Sequence, residues 1–304
     1  MRPRLCRPRN RAISETLVSA WTAARRRLES AGVDSPAIDA RLLLEAAAGA
    51  TRTDILTDPH RPLTDEQSAQ LAALIERRER REPVSQILGS KGFWKILLRV
   101  TPDVLTPRPE TETLLDALLP EIPERQPLRV LDLGVGSGAI LLAILIERPA
   151  AVGLGVDVSE EALAVARENA ANLGLASRTA LMRGDWTAGL EPESFHVVVS
   201  NPPYIRSGDL AGLAPEVRDH EPRIALDGGA DGLDAYRTLV PQILSVLRPG
   251  GLFGVEVGVG QASDVAALFS EAGVSSVNVR NDLGDRERVV WGVKKALDKS
   301  PSDR

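Results

Sequence analysis

The fold is decided by residues 130–138, which run Val130-Leu131-Asp132-Leu133-Gly134-Val135-Gly136-Ser137-Gly138. An apolar strand here enters a glycine-rich turn, and a helical pattern starts at about Ala139. Glycines let the backbone turn sharply and let a ligand lie directly against it. Taken alone, a G-x-G-x-G turn fits a dinucleotide site or simply a tight turn, so the flanking sequence has to decide between them.

Around this turn, apolar strands alternate with amphipathic helices. That alternation is typical of an α/β fold, in which a mostly parallel sheet is wrapped in helices. We therefore predict a Rossmann-like sheet for the larger part of the chain. The predicted strands are Arg129–Leu133, Val152–Val156, Ala180–Arg183, Val197–Ser200, Gly251–Glu256 and Arg288–Gly292.

The first third of the chain is predicted to be helical. Apolar residues recur at helical spacing from Ile13 to Glu29. Ser35-Pro36 places an N-cap and a first-turn proline ahead of a second helix, Ala37–Ala48. Thr64 and Gln67 form a capping-box pattern before a third. This region therefore predicts a small all-α domain.

The periodicity changes between this helical region and the sheet. Val84–Leu88 and Phe93–Val100 are predicted as two short strands around Gly89-Ser90-Lys91-Gly92, which is a hairpin signal. We place the connector between the two domains here. The predicted divisions are a disordered basic arm (1–12), the helical domain (13–82), the hairpin connector (83–106), the sheet domain (107–296) and a frayed tail (297–304).

Length, composition and charge limit the classes of function that this chain can have. The 304 residues suffice for a large and a small domain, and the net charge of -5 argues against a broad basic surface for double-stranded nucleic acid. One cysteine, Cys6, excludes an intramolecular disulfide and fits a reducing, cytoplasmic setting. No apolar run reaches the length of a membrane span. Five arginines among residues 1–12 are read as a disordered arm or, alternatively, as a contact arm for RNA.

Two acidic positions indicate an adenosine ligand. Asp157 ends the strand after the glycine turn, about 20 residues on, where a carboxylate meets ribose hydroxyls in strand–helix–strand units. Its alternative role is an N-cap, which Ser159 can also fill. Gly184-Asp185-Trp186 follows the next strand and offers an acceptor for an adenine amine beside an aromatic wall, unless Asp185 is only a solvated loop charge.

The chemistry is indicated by Asn201-Pro202-Pro203-Tyr204, which follows a buried strand at the ligand-binding edge of the sheet. The prolines remove two N–H donors, so the Asn201 side-chain oxygen and the Pro202 carbonyl remain as acceptors. An NH₂ group on a planar carbon can donate one hydrogen to each, while the Tyr204 ring stacks on the planar group. The alternative is an ordinary Asn-Pro turn. The three histidines are scattered, so we expect no metal site.

The glycine turn resembles motif I of class I methyltransferases, and further segments resemble the release-factor glutamine methyltransferases. The resemblance spans nearly the whole chain, from about residue 14 to residue 293. The segments are Asp39–Glu45, Glu82–Val84, Leu88–Gly89, Phe93–Trp94, Leu105–Glu112, Glu221–Leu226, Gly228–Leu233 and Asp282–Val290. This chain departs from the family pattern at Val135, where the family usually has threonine, and at Thr106, where it usually has isoleucine.

The resemblance implies a helical substrate-docking domain, a hairpin connector and a seven-stranded methyltransferase domain. It implies that S-adenosyl-L-methionine methylates the side-chain nitrogen of the glutamine in the Gly-Gly-Gln loop of release factors, leaving S-adenosyl-L-homocysteine. Residues Gly134–Gly138 and Asp157 would hold the cofactor, with Trp186 against its adenine and the Pro107–Glu112 loop as a cover. Residues Asn201–Tyr204 would hold the glutamine amide.

Three alternatives remain open at this point. The same four residues also occur in adenine-N6 methyltransferases, although aromatic residues make up only 3% of the chain and no stable nucleic-acid partner is expected. A ribosomal-protein glutamine would require identical chemistry. A non-catalytic binding module predicts loss of the glycine turn or of the Asn-Pro-Pro-Tyr motif, and both are intact.

Overall fold

The computed structural model describes residues 15–295, which form two compact units that divide between Leu88 and Gly89. The arginine-rich start, Cys6 and the tail from residue 297 lie outside the described residues. Within residues 15–295, no helix is both long and apolar enough to cross a membrane.

The described part of the first unit is helical, as predicted. Its helices pack around buried leucines and alanines such as Leu28, Leu43 and Leu44. The capping box is confirmed, because Thr64 N donates to Gln67 Oε1 at 3.0 Å and Gln67 N donates to Thr64 Oγ1 at 3.2 Å. The helices are α1 (Leu17–Ser30), α2 (Pro36–Ala48), α3 (Arg52–Thr57), α4 (Asp65–Glu79) and α5 (Val84–Leu88).

The prediction of a strand at Val84–Leu88 was wrong, because this segment is helix α5. The Pro83 carbonyl accepts from Gln86 N at 3.0 Å and from Ile87 N at 2.9 Å, which starts a helical turn that buries Ile87. A short apolar run does not distinguish a strand from a helix by its periodicity.

The predicted hairpin exists, but its turn comes later in the chain. Strands β1 (Ser90–Phe93) and β2 (Ile96–Arg99) pair antiparallel, with Phe93 opposite Ile96. The turn therefore lies at Trp94 and Lys95 rather than at the glycines of residues 89–92. Trp94 takes a φ of 53° to make it. The hairpin belongs to the second unit, so the predicted 83–106 connector is divided between the two units.

A seven-stranded sheet forms the centre of the second unit, which confirms the predicted fold class. Its strand order is β5-β4-β3-β6-β7-β9-β8. Strand β9 runs in the opposite direction to the other six strands. The strand β8 was not predicted, because it is a short edge strand with mostly exposed residues, and its apolar alternation is limited to Val277 and Val279. The strands are β3 (Arg129–Leu133), β4 (Val152–Asp157), β5 (Thr179–Arg183), β6 (Phe195–Ser200), β7 (Leu247–Glu256), β8 (Val277–Asn281) and β9 (Glu287–Val293).

Helices cover both faces of this sheet, and each face has its own core. Successive strand residues point to opposite faces, so Val130 joins one core and Leu131 the other. Helix α7 is apolar all round because it is almost wholly buried. The helices are α6 (Glu112–Leu118), α7 (Ala139–Glu147), α8 (Glu160–Asn172), α9 (Pro215–Arg218), α10 (Asp234–Val246) and α11 (Ala262–Glu271).

The strand order of the sheet reverses between β3 and β6. These two strands lie side by side although β4 and β5 come between them in sequence. Open α/β sheets bind ligands at such a point. Leu133 pairs with Val156 on one side and with Ser200 on the other, and Ser200 pairs with Val255. The residues that follow these positions are therefore neighbours at one edge, and they are Gly134, Asp157, Asn201 and Glu256.

Candidate active site

The glycine turn is anchored to the end of β4. Gly134 N and Val135 N both donate to the Val156 carbonyl, at 2.9 and 3.0 Å. Gly136 has a φ of 52°, and a Cβ added there would meet no atom within 4 Å. The turn thus exposes bare backbone at Gly136. Gly138 is buried and serves as the N-cap of α7.

Asp157 is held in place by two backbone donors. Gly136 N donates to Oδ2 at 2.9 Å and Ser159 N donates to Oδ1 at 3.0 Å. The N-cap of α8 is Ser159, whose hydroxyl accepts from Ala162 N at 3.0 Å. Each carboxylate oxygen of Asp157 retains a further lone pair. Asp157 is therefore oriented to accept hydrogen bonds from a ligand.

Asp132 lies behind the turn as a buried carboxyl. Leu141 N donates to Oδ2 at 3.2 Å, while Oδ1 has no hydrogen-bond partner among the described residues. Burial, with a smaller contribution from the charge of Asp157, raises the pKa of Asp132 to about 8 against the hydrogen bond from Leu141 N, which lowers it. A cation bound at this edge of the sheet would be favoured by the Asp157 carboxylate and would lower the pKa of Asp132.

A cavity of about 330 Å³ opens in front of the turn. That volume is at the lower end of the range for small-molecule sites. The Trp186 ring lies over the turn, because a Cβ added to Gly134 would be 3.5 Å from Trp186 Cζ3. The predicted site residues that line this cavity are Gly134, Val135, Gly136, Ser137, Asp157, Asp185, Trp186, Asn201 and Pro203.

The cover of this cavity comes from two distant segments joined by an ion pair. Pro107 and Arg108 line the cavity from one segment, and Pro222 and Ile224 from the other. Arg108 Nη2 lies 2.6 Å from Glu221 Oε2, and the Glu221 side chain is only 1% exposed. Burial raises the pKa of Glu221, and Arg108 opposes that rise. This pair therefore joins the two segments that line the cavity.

Asn201 lies at the boundary of two cavities. It lines the first cavity and also a second one of about 270 Å³. Its Nδ2 donates to Thr111 Oγ1 at 3.3 Å. Because the amide nitrogen is engaged, Oδ1 is the atom left to accept from a substrate.

Tyr204 lines the second cavity, whereas Pro202 is buried and is not among the residues that line either cavity. The Tyr204 hydroxyl donates to Glu256 Oε1 at 3.2 Å, and burial raises the pKa of this tyrosine. Gln261 Nε2 donates to the Tyr204 carbonyl at 3.0 Å. A Cβ added to Gly232 would lie 2.5 Å from the same carbonyl, so the loop requires glycine there.

Sequence reasoning missed Glu256 and Thr111. Glu256 is 1% exposed, and burial raises its pKa to about 7 although hydrogen bonds from Thr111 and Tyr204 lower it. Its signal in the sequence is an acidic residue directly after the apolar run 251–255. Val255 pairs with Ser200, so Glu256 stands level with Asn201. Thr111 was predicted only as part of the Pro107–Glu112 loop, and nothing in the sequence indicated its contact with Asn201.

The departures from the family pattern are accommodated in the structure. Val135 is 5% exposed. Its Cγ2 would lie 2.7 Å from a Cβ added to Gly155, so the Val135 side chain packs against β4. Thr106 is also buried, at 4% exposure.

Two family models match this chain, and three of its sequence relatives share one activity by name. The family model for the PrmC N-terminal domain matches residues 19–89, and the model for the methyltransferase small domain matches residues 111–214. The release factor glutamine methyltransferase of Caulobacter vibrioides is 62% identical over 283 residues, covering 93% of this chain and 98% of that one.

Two further relatives carry the same name. The Rhodospirillum rubrum protein is 47% identical, covering 90% of this chain and 84% of its own. The Agrobacterium fabrum protein is 44% identical, covering 90% of this chain and 96% of its own. These alignments extend over both units. The chain belongs to the release factor glutamine methyltransferase family.

Proposed function

We propose that this protein transfers a methyl group from S-adenosyl-L-methionine to the side-chain amide nitrogen of the glutamine in the Gly-Gly-Gln loop of peptide-chain release factors. The observation that carries the proposal is the position of Asn201 between two cavities, with its Nδ2 engaged and its Oδ1 left as an acceptor. One cavity suits a cofactor and the other a substrate side chain.

The residues of the first cavity fit the cofactor. The Asp157 carboxylate is oriented to accept from the ribose hydroxyls, and the Trp186 ring offers a flat apolar wall for adenine. Bare backbone at Gly136 allows close approach. Behind the turn, the buried Asp132 carboxyl has an unpaired oxygen, and a cationic ligand in front of the turn would lower the pKa of this carboxyl. When bound, the cofactor supplies a methyl group activated by a sulfonium.

The protein's task is to make a poor nucleophile react. An amide nitrogen is poor because its lone pair is delocalised into the carbonyl. Asn201 Oδ1 accepts one amide hydrogen, which shifts electron density onto nitrogen and aims it at the first cavity. The Pro202 carbonyl stays the predicted acceptor for the other hydrogen, although Pro202 lines neither cavity. Positioning of this kind supplies up to about 7–11 kcal/mol of the barrier, and the fixed acceptors add preorganised electrostatics. Methyl transfer would form the new C–N bond as the methyl carbon–sulfur bond of the cofactor breaks, and the nitrogen would lose one proton.

The test is transfer of labelled methyl from S-adenosyl-L-methionine to purified release factor. The matched control is the same factor with Gln→Ala in its Gly-Gly-Gln loop. The proposal requires label on the wild-type factor alone. Equal label on both factors would refute the target residue, and label on neither would refute the substrate, with ribosomal-protein glutamine and nucleic-acid adenine to be tried in that order.

A further inference from the structure

A buried carboxyl forms part of the wall of the second cavity. Glu256 is 1% exposed and lines this cavity together with Asn201 and Tyr204. Ser200 pairs with Val255, so Asn201 and Glu256 follow at the same level of two neighbouring strands. Neighbouring strands lie about 4.8 Å apart, and residues at the same level point to the same face of the sheet. Asn201 and Glu256 are therefore placed to contact one substrate amide at the same time.

One oxygen of this carboxyl is left for a substrate. The Tyr204 hydroxyl donates to Glu256 Oε1 at 3.2 Å, whereas Oε2 is buried and has no hydrogen-bond partner among the described residues. The Tyr236 hydroxyl donates to the backbone carbonyl of Glu256 at 2.8 Å, which fixes the end of β7 without engaging the carboxyl. A buried carboxyl oxygen without a partner costs folding free energy, so stability does not account for it.

Glu256 is also the group around this cavity that is best suited to take up a proton. Among the described residues that line the second cavity, the carboxyls belong to Glu110 and Glu256, and Glu110 is exposed to water. Burial raises the pKa of Tyr204, so its hydroxyl stays protonated. Burial raises the pKa of Glu256 to about 7, and a general base is most effective when its pKa lies near the working pH. The other charged or titratable groups near this carboxyl are Arg108, Arg288 and Tyr236.

We propose that Glu256 is a catalytic residue of methyl transfer, which contacts the substrate amide through Oε2 and takes up the proton that the glutamine nitrogen loses. This inference rests on the proposed function and adds the destination of the proton to it. The amide nitrogen forms a bond to the methyl carbon, and the carbon–sulfur bond breaks with its electron pair going to sulfur. The nitrogen–hydrogen bond returns its electron pair to nitrogen, and the proton goes to the carboxylate. The positive charge of the sulfonium and the negative charge of the carboxylate are both lost in this step.

The test is the pH dependence of single-turnover methylation of release factor by wild type and by Glu256→Gln. The wild-type rate should rise with pH up to about 7 and then stay level, because only the ionised carboxyl takes up a proton. The positive charge of the bound cofactor moves this rise only toward lower pH. Glu256→Gln keeps a hydrogen-bond acceptor of the same shape but cannot take up the proton. It should lower the level rate at least about a hundredfold and abolish the rise, with a cofactor Kd near that of wild type.

Tyr204→Phe separates proton uptake from a purely structural role of Glu256. This variant removes the hydrogen bond to Oε1 but keeps the carboxyl, so its rate should still rise with pH. The infrared C=O stretch of the protonated carboxyl gives a readout that does not depend on activity. In the cofactor-free protein, the difference spectrum between wild type and Glu256→Gln should lose this band at about pH 7.

Three results would overturn the role of Glu256. They are a wild-type rate that stays constant between about pH 5 and pH 9, a full rate for Glu256→Gln, and a rise with pH that persists in Glu256→Gln. An infrared band that persists to about pH 9 would also overturn it, because the carboxyl would then never be free to take up a proton. If wild type transfers no methyl group to the release factor, the proposed function fails instead, so the two failures are distinguishable.

Discussion

Replacing the buried Glu256 by glutamine should change how stability depends on pH. Burial raises the pKa of Glu256 from 4.5 to about 7, so the folded protein binds this proton more tightly than the unfolded chain. The stability linked to that proton is present in full below pH 4.5 and is lost as the pH rises to about 7. Each pKa unit is worth about 1.4 kcal/mol, so ionisation costs about 3 kcal/mol.

Glu256→Gln cannot ionise and escapes this cost. Relative to wild type, the variant should therefore gain about 3 kcal/mol in free energy of unfolding between pH 4.5 and pH 8. The assay is urea unfolding at several pH values, followed by tryptophan fluorescence, since Trp94, Trp186 and Trp291 all lie in the second unit. Glu271→Gln, at an exposed position in α11, controls for the loss of a negative charge. A difference between Glu256→Gln and wild type that stays constant across this pH range would refute the reasoning.

Three further predictions concern other parts of the chain. Asp39→Ala removes the buried partner of Arg78, whose Nε lies 2.8 Å from Asp39 Oδ2, and should destabilise the first unit by about 3–5 kcal/mol in denaturant unfolding. Asp157→Ala should weaken cofactor binding at least about tenfold in calorimetry, and unchanged affinity would exclude the ribose role. Gly232→Ala places a Cβ at 2.5 Å from the Tyr204 carbonyl and should lower kcat with little effect on cofactor Kd; an unchanged kcat would show that the loop tolerates displacement.

The parts of the site that were predicted from the sequence are those set by local pattern. The glycine turn, Asp157 and Asn201 each follow directly after a predicted strand, and parallel strands bring their carboxyl ends to one edge. Knowing the strands was therefore enough to group these residues. The hairpin could be expected from its glycines, but the turn could not be placed, because Pro83 starts a helix where an extended run was expected.

The parts that were not predicted depend on pairings between distant segments. Arg108 meets Glu221 across 113 positions, and Tyr204 meets Glu256 across 52. Nothing local in either segment indicates its partner. The register between β6 and β7 decides the second contact, and a shift by one residue would turn Glu256 to the opposite face.

The most direct test of the central claim is to locate the methyl group that the protein transfers. Wild-type protein and Asn201→Ala are each incubated with S-adenosyl-L-methionine and release factor, and the product is mapped by tandem mass spectrometry. The account predicts methylation on the side-chain amide of the Gly-Gly-Gln glutamine with wild type, and a rate at least about a hundredfold lower with Asn201→Ala at unchanged cofactor affinity. A methyl group on any other atom, or a full rate without Asn201, would contradict it.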